Sequence, residues 1–297
     1  MEPTCLVTAR DGVQLAVYVS GDQDAELTVL AVHGYPDNAA MWDGVADRLG
    51  TRCRLIRYDV RGTGRSQEPA DRAGYQLEQL ADDARAVLAE TVGDQARVHL
   101  LGHDWGSVQG WYFLTDPALA GRFSSFTSIS GPSVAFVQPW VSAQLRSGNR
   151  RAALGQLAHS SYVGFFKLPV LPELAWRTGL VDRLLGGERP ASRGWREKSN
   201  GLELYRANLL TRRRYPATRI DLPVQVLAPT ADPYISPEFQ LGAPRPYVRQ
   251  LVGRTVAAGH WLPVSHPELV ADAVVRFAER VERGTGLDGG ADLAELD

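Results

Sequence analysis

The sequence from Val98 to Ser107 reads VHLLGHDWGS and contains the pattern Gly-x-Asp-x-Gly at residues 102–106. Its apolar start predicts a short buried strand, Val98 to Gly102, and the residues that follow predict a helix from about Ser107 to Thr115. A nucleophile flanked by two glycines at such a junction marks a sharp turn that raises one side chain above a sheet. Small residues are needed there because the turn packs tightly and its central backbone is strained. We therefore expect Asp104 to stand at a strand-to-helix corner.

A carboxylate at this corner indicates a specific chemistry. It is a poor nucleophile towards an acyl carbon at neutral pH, but it can displace a leaving group at a saturated carbon. The product is an alkyl ester of the enzyme, and hydrolysis of that ester passes through an oxyanion. We expect the oxyanion donors to be the backbone N–H groups of Trp105, at the helix start, and of Tyr35. The pattern alone could occur by chance, but His33-Gly34-Tyr35-Pro36-Asp37 follows a buried strand, where the second donor is expected.

Strands and helices alternate on both sides of this corner. Apolar and β-branched runs predict strands at Cys5–Thr8, Val13–Ser20, Leu27–His33, Arg54–Val60, Val98–Gly102, Phe123–Ser130, Val224–Pro229 and Val248–Ala258. Helical periodicity predicts helices at Ala39–Leu49, Leu77–Val92, Ser107–Thr115 and Pro267–Arg283. This order predicts an α/β fold with a mostly parallel eight-stranded sheet flanked by helices.

The alternation is interrupted once. Residues 132–219 contain helical pieces and no convincing strand, so we expect a helical cap inserted between two parts of the core, residues 1–131 and 220–283. The position of the cap matters because ligands bind beyond the carboxyl ends of parallel strands. Residues 284–297 are rich in glycine and acidic groups and are expected to form a flexible tail or a linker.

Composition limits the classes of function. The 297 residues are 44% apolar, enough for a large core, and the net charge of −2 does not favour nucleic acid or an anionic membrane as a partner. The arginines at 150–151 and 212–214 are read as solvated helix ends rather than a phosphate site. Two cysteines, Cys5 and Cys53, are too few for a disulfide framework. With no signal peptide and no apolar run of membrane length, a soluble, cytoplasmic protein is expected.

A base and a second acid are expected downstream of the nucleophile. Of the six histidines, His260 follows the last predicted strand and precedes the last helix, which places it at the carboxyl edge of the sheet. The neighbour of the nucleophile, His103, is expected to point away from it. Asp232 follows the preceding strand and is the candidate acid, expected to orient the imidazole of His260. Asp221 precedes that strand and so lies at the wrong end.

Neither a cofactor nor a metal is expected. Gly62-Thr63-Gly64 lacks the third glycine and the following acidic residue of a dinucleotide site. The sequence has no pair of histidines at helical spacing with a third ligand, and no cysteine cluster.

These residues together resemble the epoxide hydrolase branch of the α/β-hydrolase superfamily, over nearly the whole chain to about residue 283. The match rests on His33-Gly34-Tyr35-Pro36, similar to the family's H-G-x-P, and on Gly102-His103-Asp104-Trp105-Gly106, similar to its G-H-D-W-G. Haloalkane dehalogenases share the Asp-Trp pair and are the close rival. They often carry an amide side chain where this chain has Tyr35, whereas Trp105 could serve either chemistry.

The resemblance implies two cap tyrosines, Tyr162 and Tyr205, that polarise the epoxide oxygen and donate a proton to it. Tyr215 is the fallback candidate. A halide leaving group would instead need indole or amide N–H donors. A non-catalytic binding protein with the same fold is a third alternative, although an intact set of nucleophile, acid and base argues against it.

The expected substrate is a small apolar epoxide. Aromatic residues of the cap, with one from the core, are expected to line its site: Phe136, Trp140, Phe165, Phe166 and Trp261. A homodimer is left open. Similar bacterial proteins can carry a short-chain dehydrogenase after such a domain, so a fusion in a longer chain is also left open.

Overall fold

The computed structural model describes residues 2–185 and 194–284. The predicted tail lies outside this range except for Gly284. The strands are Cys5–Thr8 (β1), Gln14–Gly21 (β2), Thr28–Val32 (β3), Arg54–Tyr58 (β4), Val98–His103 (β5), Phe123–Ile129 (β6), Val224–Pro229 (β7) and Leu251–Val256 (β8). The helices of the core are Asp43–Leu49 (α1), Leu77–Val92 (α2), Trp105–Phe113 (α3), Pro237–Gly242 (α11), Leu262–Ser265 (α12) and Pro267–Glu282 (α13).

The eight strands form one sheet in the order β1-β2-β4-β3-β5-β6-β7-β8. Strand β2 is antiparallel to both of its neighbours, and all the other pairs are parallel. The predicted mostly parallel, eight-stranded sheet is therefore confirmed. Because β5 lies in the middle of the sheet, the residue that follows it is placed at the centre of the carboxyl edge.

The central strands of the sheet are buried on both faces, as their near-continuous apolar runs predict. Successive residues of β5 point to opposite faces: Leu100 packs into a core with α2 and α3, and Leu101 packs into a second core with α1 and α13. All six residues of β5 are buried. The strand that presents Asp104 is therefore held from both sides, which gives the corner a rigid base.

Seven helices lie between β6 and β7 in the described part of the chain. They are Val134–Arg146 (α4), Arg150–His159 (α5), Tyr162–Phe166 (α6), Leu171–Arg177 (α7), Leu180–Leu185 (α8), Trp195–Asn200 (α9) and Leu202–Asn208 (α10). We refer to α4–α10 as the cap helices. The division of the chain into core and cap at residues 131 and 220 stays a prediction.

The structure corrects several predicted element ends. The strand predicted at Val248–Ala258 begins only at Leu251, because the N–H groups of Tyr247 and Val248 bond to the Pro244 carbonyl and form a turn. The helix predicted at Ala39–Leu49 is a 3-10 turn followed by α1. Helix α3 begins two residues earlier than expected, directly after Asp104. None of the described helices is long and apolar enough to cross a membrane.

Candidate active site

Asp104 stands at the junction of β5 and α3 with strained backbone angles, φ 51° and ψ −122°. A positive φ is uncommon for a residue with a side chain and persists only where the surroundings enforce it. The flanking glycines show what enforces it. A Cβ atom at Gly102 would lie 2.7 Å from the Gly106 carbonyl oxygen, and one at Gly106 would lie 2.0 Å from the Val32 carbonyl oxygen. The pattern Gly-x-Asp-x-Gly is thus a steric requirement of this corner.

The Asp104 carboxylate is held by backbone donors. The N–H of Tyr35 donates to Oδ1 over 2.7 Å, and the N–H of Trp105 donates to the same carboxylate. The approach is close because Gly34 has no side chain: a Cβ atom there would lie 2.5 Å from both Cβ and Oδ1 of Asp104. The two N–H groups expected as oxyanion donors therefore both donate to the carboxylate of Asp104.

His260 and Asp232 lie on neighbouring loops beyond β8 and β7. Nδ1 of His260 lies 3.0 Å from Oδ2 of Asp232, and both side chains are buried. The other oxygen of Asp232 accepts from the N–H groups of Tyr234 and Ile235 over 2.9 and 3.1 Å. Because a carboxylate only accepts, Nδ1 carries the proton of the neutral ring and Nε2 is left to act as a base.

The second ring nitrogen of His260 faces Asp104. Nε2 lies 3.7 Å from Oδ2 of Asp104. Burial raises the pKa of Asp104 to about 6, against the opposing effect of the His260 charge and the two backbone donors. Burial also raises the pKa of Asp232, but the charge and hydrogen bond of His260 outweigh it and leave that pKa below its usual value. At neutral pH both carboxylates are therefore ionised.

Tyr162, at the start of α6, and Tyr205, on α10, lie over the nucleophile. Their ring centroids are 6.0 Å apart, and their hydroxyls interact with each other. Burial, together with the nearby charge of Asp104, raises the pKa of both hydroxyls above the usual value for tyrosine. Both side chains thus remain protonated at neutral pH and can donate hydrogen bonds into the space above Asp104.

Two cavities meet at this site. The narrow arm has a volume of about 180 Å³ and is lined by Asp104, His260 and aromatic rings. The wide arm has a volume of about 570 Å³ and runs from Asp104 between α4, α5 and the segment after α10. Tyr162 and Tyr205 line both arms. Each arm therefore gives access to Asp104 and to both tyrosines.

Three of the five aromatic residues proposed from the sequence line the narrow arm: Phe165, Phe166 and Trp261. The other two are corrections. Phe136 lies outside both arms and stacks on Tyr247, with ring centroids 4.7 Å apart. Trp140 packs against Phe239 and faces a separate cavity between α4 and α11. Both occupy α4, and its packing against the core turns their rings away from Asp104.

Two side chains contact His260 in ways that the sequence did not predict. His103 is buried, and its Nε2 lies 2.8 Å from the carbonyl oxygen of His260. Tyr234 packs edge-on against the His260 ring at 4.9 Å and against Tyr162 at 5.3 Å. Alternation along a strand predicts that neighbours point apart, and His103 does point away from Asp104, but towards the loop that carries the base. The one sequence signal for Tyr234 is its place in the apolar loop segment Pro233-Tyr234-Ile235.

Comparisons with known proteins identify the family of the chain. A family model described as alpha/beta hydrolase fold matches residues 28–267. The protein named "Probable oxidoreductase EphD" of Mycobacterium tuberculosis is 37% identical over 293 residues, covering 92% of this chain and 49% of that protein. Epoxide hydrolase 3 of Xenopus tropicalis is 28% identical over 165 residues, covering 55% of this chain and 41% of that protein. The chain thus spans about half the length, or less, of these relatives.

Solved structures share the fold at low sequence identity. An epoxide hydrolase from Bacillus megaterium superposes with a TM-score of 0.75 at 22% identity, covering 93% of this chain and 100% of that chain. A structure reported among novel epoxide hydrolases from metagenomes of hot environments gives 0.76 at 23% identity, covering 94% and 99%. The family model matches most of the sequence, including the corner, the acid and most of the sheet. The chain belongs to the alpha/beta hydrolase fold family.

Proposed function

We propose that this hydrolase is an epoxide hydrolase, which converts an apolar epoxide to a vicinal diol through an ester of Asp104. The observation that carries the proposal is that the two oxygens of the Asp104 carboxylate have different partners. Oδ1 accepts from the Tyr35 N–H, while Oδ2 faces Nε2 of His260 below two tyrosine hydroxyls. Relatives named epoxide hydrolases in other organisms support the same reaction class.

In the first step, Oδ2 of Asp104 attacks one carbon of the oxirane. The new bond joins Oδ2 to that carbon as the bond from the carbon to the epoxide oxygen breaks. The epoxide oxygen leaves with the electron pair but remains attached to the substrate through its other carbon. Tyr162 and Tyr205 bind this oxygen, and one of them donates the proton that makes it a hydroxyl.

In the second step, Nε2 of His260 takes a proton from a water molecule that attacks Cγ of Asp104. Oδ1 then carries the negative charge. The N–H of Tyr35 already donates to this oxygen, and the N–H of Trp105 donates to the same carboxylate, so the donors are in place before the charge develops. Asp232 stabilises the imidazolium that forms. When the intermediate collapses, the original Oδ2 leaves with the diol and takes its proton from the His260 imidazolium. The oxygen of water remains in Asp104, and the second proton of that water returns to the tyrosine that gave its proton in the first step.

The rival reaction, carbon–halogen hydrolysis, would need free N–H donors at the leaving group. Three indole N–H groups near the site bond instead to protein acceptors. Trp176 donates to the Tyr35 hydroxyl over 2.6 Å, Trp261 donates to Asp37 over 3.0 Å, and the Trp105 indole interacts with the Tyr205 hydroxyl. This arrangement favours an oxygen leaving group held by tyrosine hydroxyls.

The test uses His260→Gln mixed with aryl and long aliphatic epoxides. We expect a protein adduct with the mass of the substrate, located on the peptide that contains Asp104, and none with Asp104→Ala. In a single turnover of the unaltered enzyme in ¹⁸O-labelled water, the label should enter the enzyme carboxylate while the first diol stays unlabelled. Absence of an adduct with any epoxide that His260→Gln binds would falsify the two-step scheme. Binding without turnover across the panel would favour a non-catalytic protein.

A further inference from the structure

The wide arm differs from the narrow arm in chemistry as well as in size. It has about three times the volume, and aliphatic side chains outnumber aromatic ones in its wall, whereas aromatic side chains predominate in the narrow arm. Apolar side chains from α3, the cap helices and the loop after β7 line it, among them Val108, Val134, Leu157, Val163, Ile235 and Phe239. Asp104, at its inner end, is the one acidic residue that lines it within the described ranges. A long hydrocarbon chain fits such a wall.

The outer end of the wide arm combines exposed apolar and cationic side chains. Leu210 is 77% exposed and Leu157 is 48% exposed, and both line the arm together with Arg213 and Arg214. Large apolar side chains exposed around a cavity are typical of a binding surface. The sequence alone gave no reason to separate these arginines from solvated helix ends.

Arg213 and Arg214 differ in their hydrogen-bond and ion-pair partners. Arg213 is paired with Glu78 over 2.5 Å and also donates to Gln76. Arg214 is exposed and makes no hydrogen bond or ion pair with any residue that the structure describes. Arg214 is therefore the cation at the mouth that is available to a ligand, at the far end of an apolar arm from the nucleophile.

We propose that the wide arm selects an amphiphilic epoxide, with its chain along the aliphatic wall and a terminal anionic group paired with Arg214. The proposal rests on the epoxide hydrolase function argued above and assigns the substrate class and a specificity residue to that site. The shorter substituent of the oxirane then lies in the narrow arm. Because the ion pair forms at an exposed rim, it contributes to substrate binding and not to the chemical steps.

The experiment compares two epoxides that have the same long chain and differ only at its end, a carboxylate in one and a neutral alcohol in the other. Arg214→Ala should raise KM for the carboxylate about 5-fold and leave kcat and the neutral substrate unchanged. Arg214→Glu should raise KM for the carboxylate further. Arg214→Lys should retain most of the preference for the carboxylate over the alcohol. Arg212→Ala is the matched control, since Arg212 is exposed but does not line the arm. The preference should weaken as salt is added.

An unchanged carboxylate-to-alcohol ratio in both Arg214→Ala and Arg214→Glu overturns the proposal, while diol formation from the neutral epoxide would leave the proposed function intact. If neither epoxide is turned over, the proposed function fails instead. In that case the site is tested by calorimetric binding of the corresponding anionic and neutral diols to the unaltered protein and to Arg214→Glu. Equal affinities in both proteins count against the anionic subsite, and a loss restricted to the anionic diol supports it.

Discussion

Nε2 of His260 lies 3.7 Å from Oδ2 of Asp104, while Oδ1 of the same carboxylate accepts a 2.7 Å hydrogen bond from Tyr35. The first distance is too long for a hydrogen bond, so Nε2 of His260 is not hydrogen-bonded to Asp104. The second fixes the carboxylate so that its other oxygen faces the cavity. The two oxygens of Asp104 therefore have different surroundings, as the proposed mechanism requires.

The pH dependence of ester formation should follow Asp104. Burial raises the pKa of this carboxyl to about 6, and only the ionised form attacks. In stopped-flow single turnovers, the rate of ester formation should be half-maximal near pH 6 and level above it. In His260→Gln the pH at which ester formation is half-maximal should rise, because the charge of His260, which lowers the pKa of Asp104, is lost. A limb near the ordinary value of 3.8 would contradict this account of the site.

Asp232→Asn should slow ester hydrolysis and shift its pH dependence. Burial lowers the pKa of His260, but the charge and hydrogen bond of Asp232 outweigh this and raise it. Without the charge of Asp232 the pKa of His260 falls, so the imidazole stays neutral down to a lower pH. The pH at which ester hydrolysis is half-maximal should therefore fall as well. The plateau rate should fall by about 10²- to 10⁴-fold because the imidazolium loses its support.

The control for this variant is Asp221→Asn, an exposed carboxylate before β7 that pairs with Arg219. It should leave both the rate and the pH profile unchanged. A shift of the limb to higher pH in Asp232→Asn would show that another group orients the base.

The two cap tyrosines should act on ester formation. Tyr162→Phe and Tyr205→Phe should each slow adduct formation by up to about 10²-fold, because one hydroxyl still holds the oxygen, and the double variant by about 10⁴-fold. Hydrolysis of a preformed ester should change little. Tyr215→Phe is the control, because the Tyr215 hydroxyl donates to Asn208 over 2.9 Å. Equal losses in Tyr215→Phe would move the assignment to that residue.

Two glycine substitutions separate the site from the scaffold. A Cβ atom at Gly34 would lie 2.5 Å from Oδ1 of Asp104, so Gly34→Ala should abolish adduct formation in a protein that still folds. Gly155, inside α5, has open space around it, and Gly155→Ala should keep full activity. It should also raise the free energy of unfolding by up to about 1 kcal/mol, since alanine is the better helix former. Rapid-quench assays measure adduct formation, and thermal unfolding measures stability. Full activity in Gly34→Ala would contradict the assignment of the Tyr35 N–H as an oxyanion donor.

The sheet and the corner could be predicted because their signals are local. A buried strand, two glycines and an acid occur within ten residues, and the base and the second acid each follow directly after a strand. Residues of the cap helices carry no such signal, since the face that a short amphipathic helix turns inwards depends on its neighbours. Phe136 and Trp140 looked like lining residues, but α4 directs them towards Tyr247 and Phe239 instead. Phe165 and Phe166 follow Tyr162 on one short helix and do reach the site.

His103 should act as a positioning residue for the base. The carbonyl of His260 accepts from Nε2 of His103 over 2.8 Å, and this bond anchors the loop on which the imidazole stands. His103→Leu removes the donor, so the base loses its position and ester hydrolysis should slow by up to about 10²-fold. Ester formation should stay within a few-fold, because Asp104 keeps its backbone donors. His103→Gln can place an amide N–H near the same carbonyl and should restore most of the hydrolysis rate. Rapid-quench measurement of the two steps distinguishes this role from a general loss of stability, which would slow both steps alike and would not be rescued by glutamine.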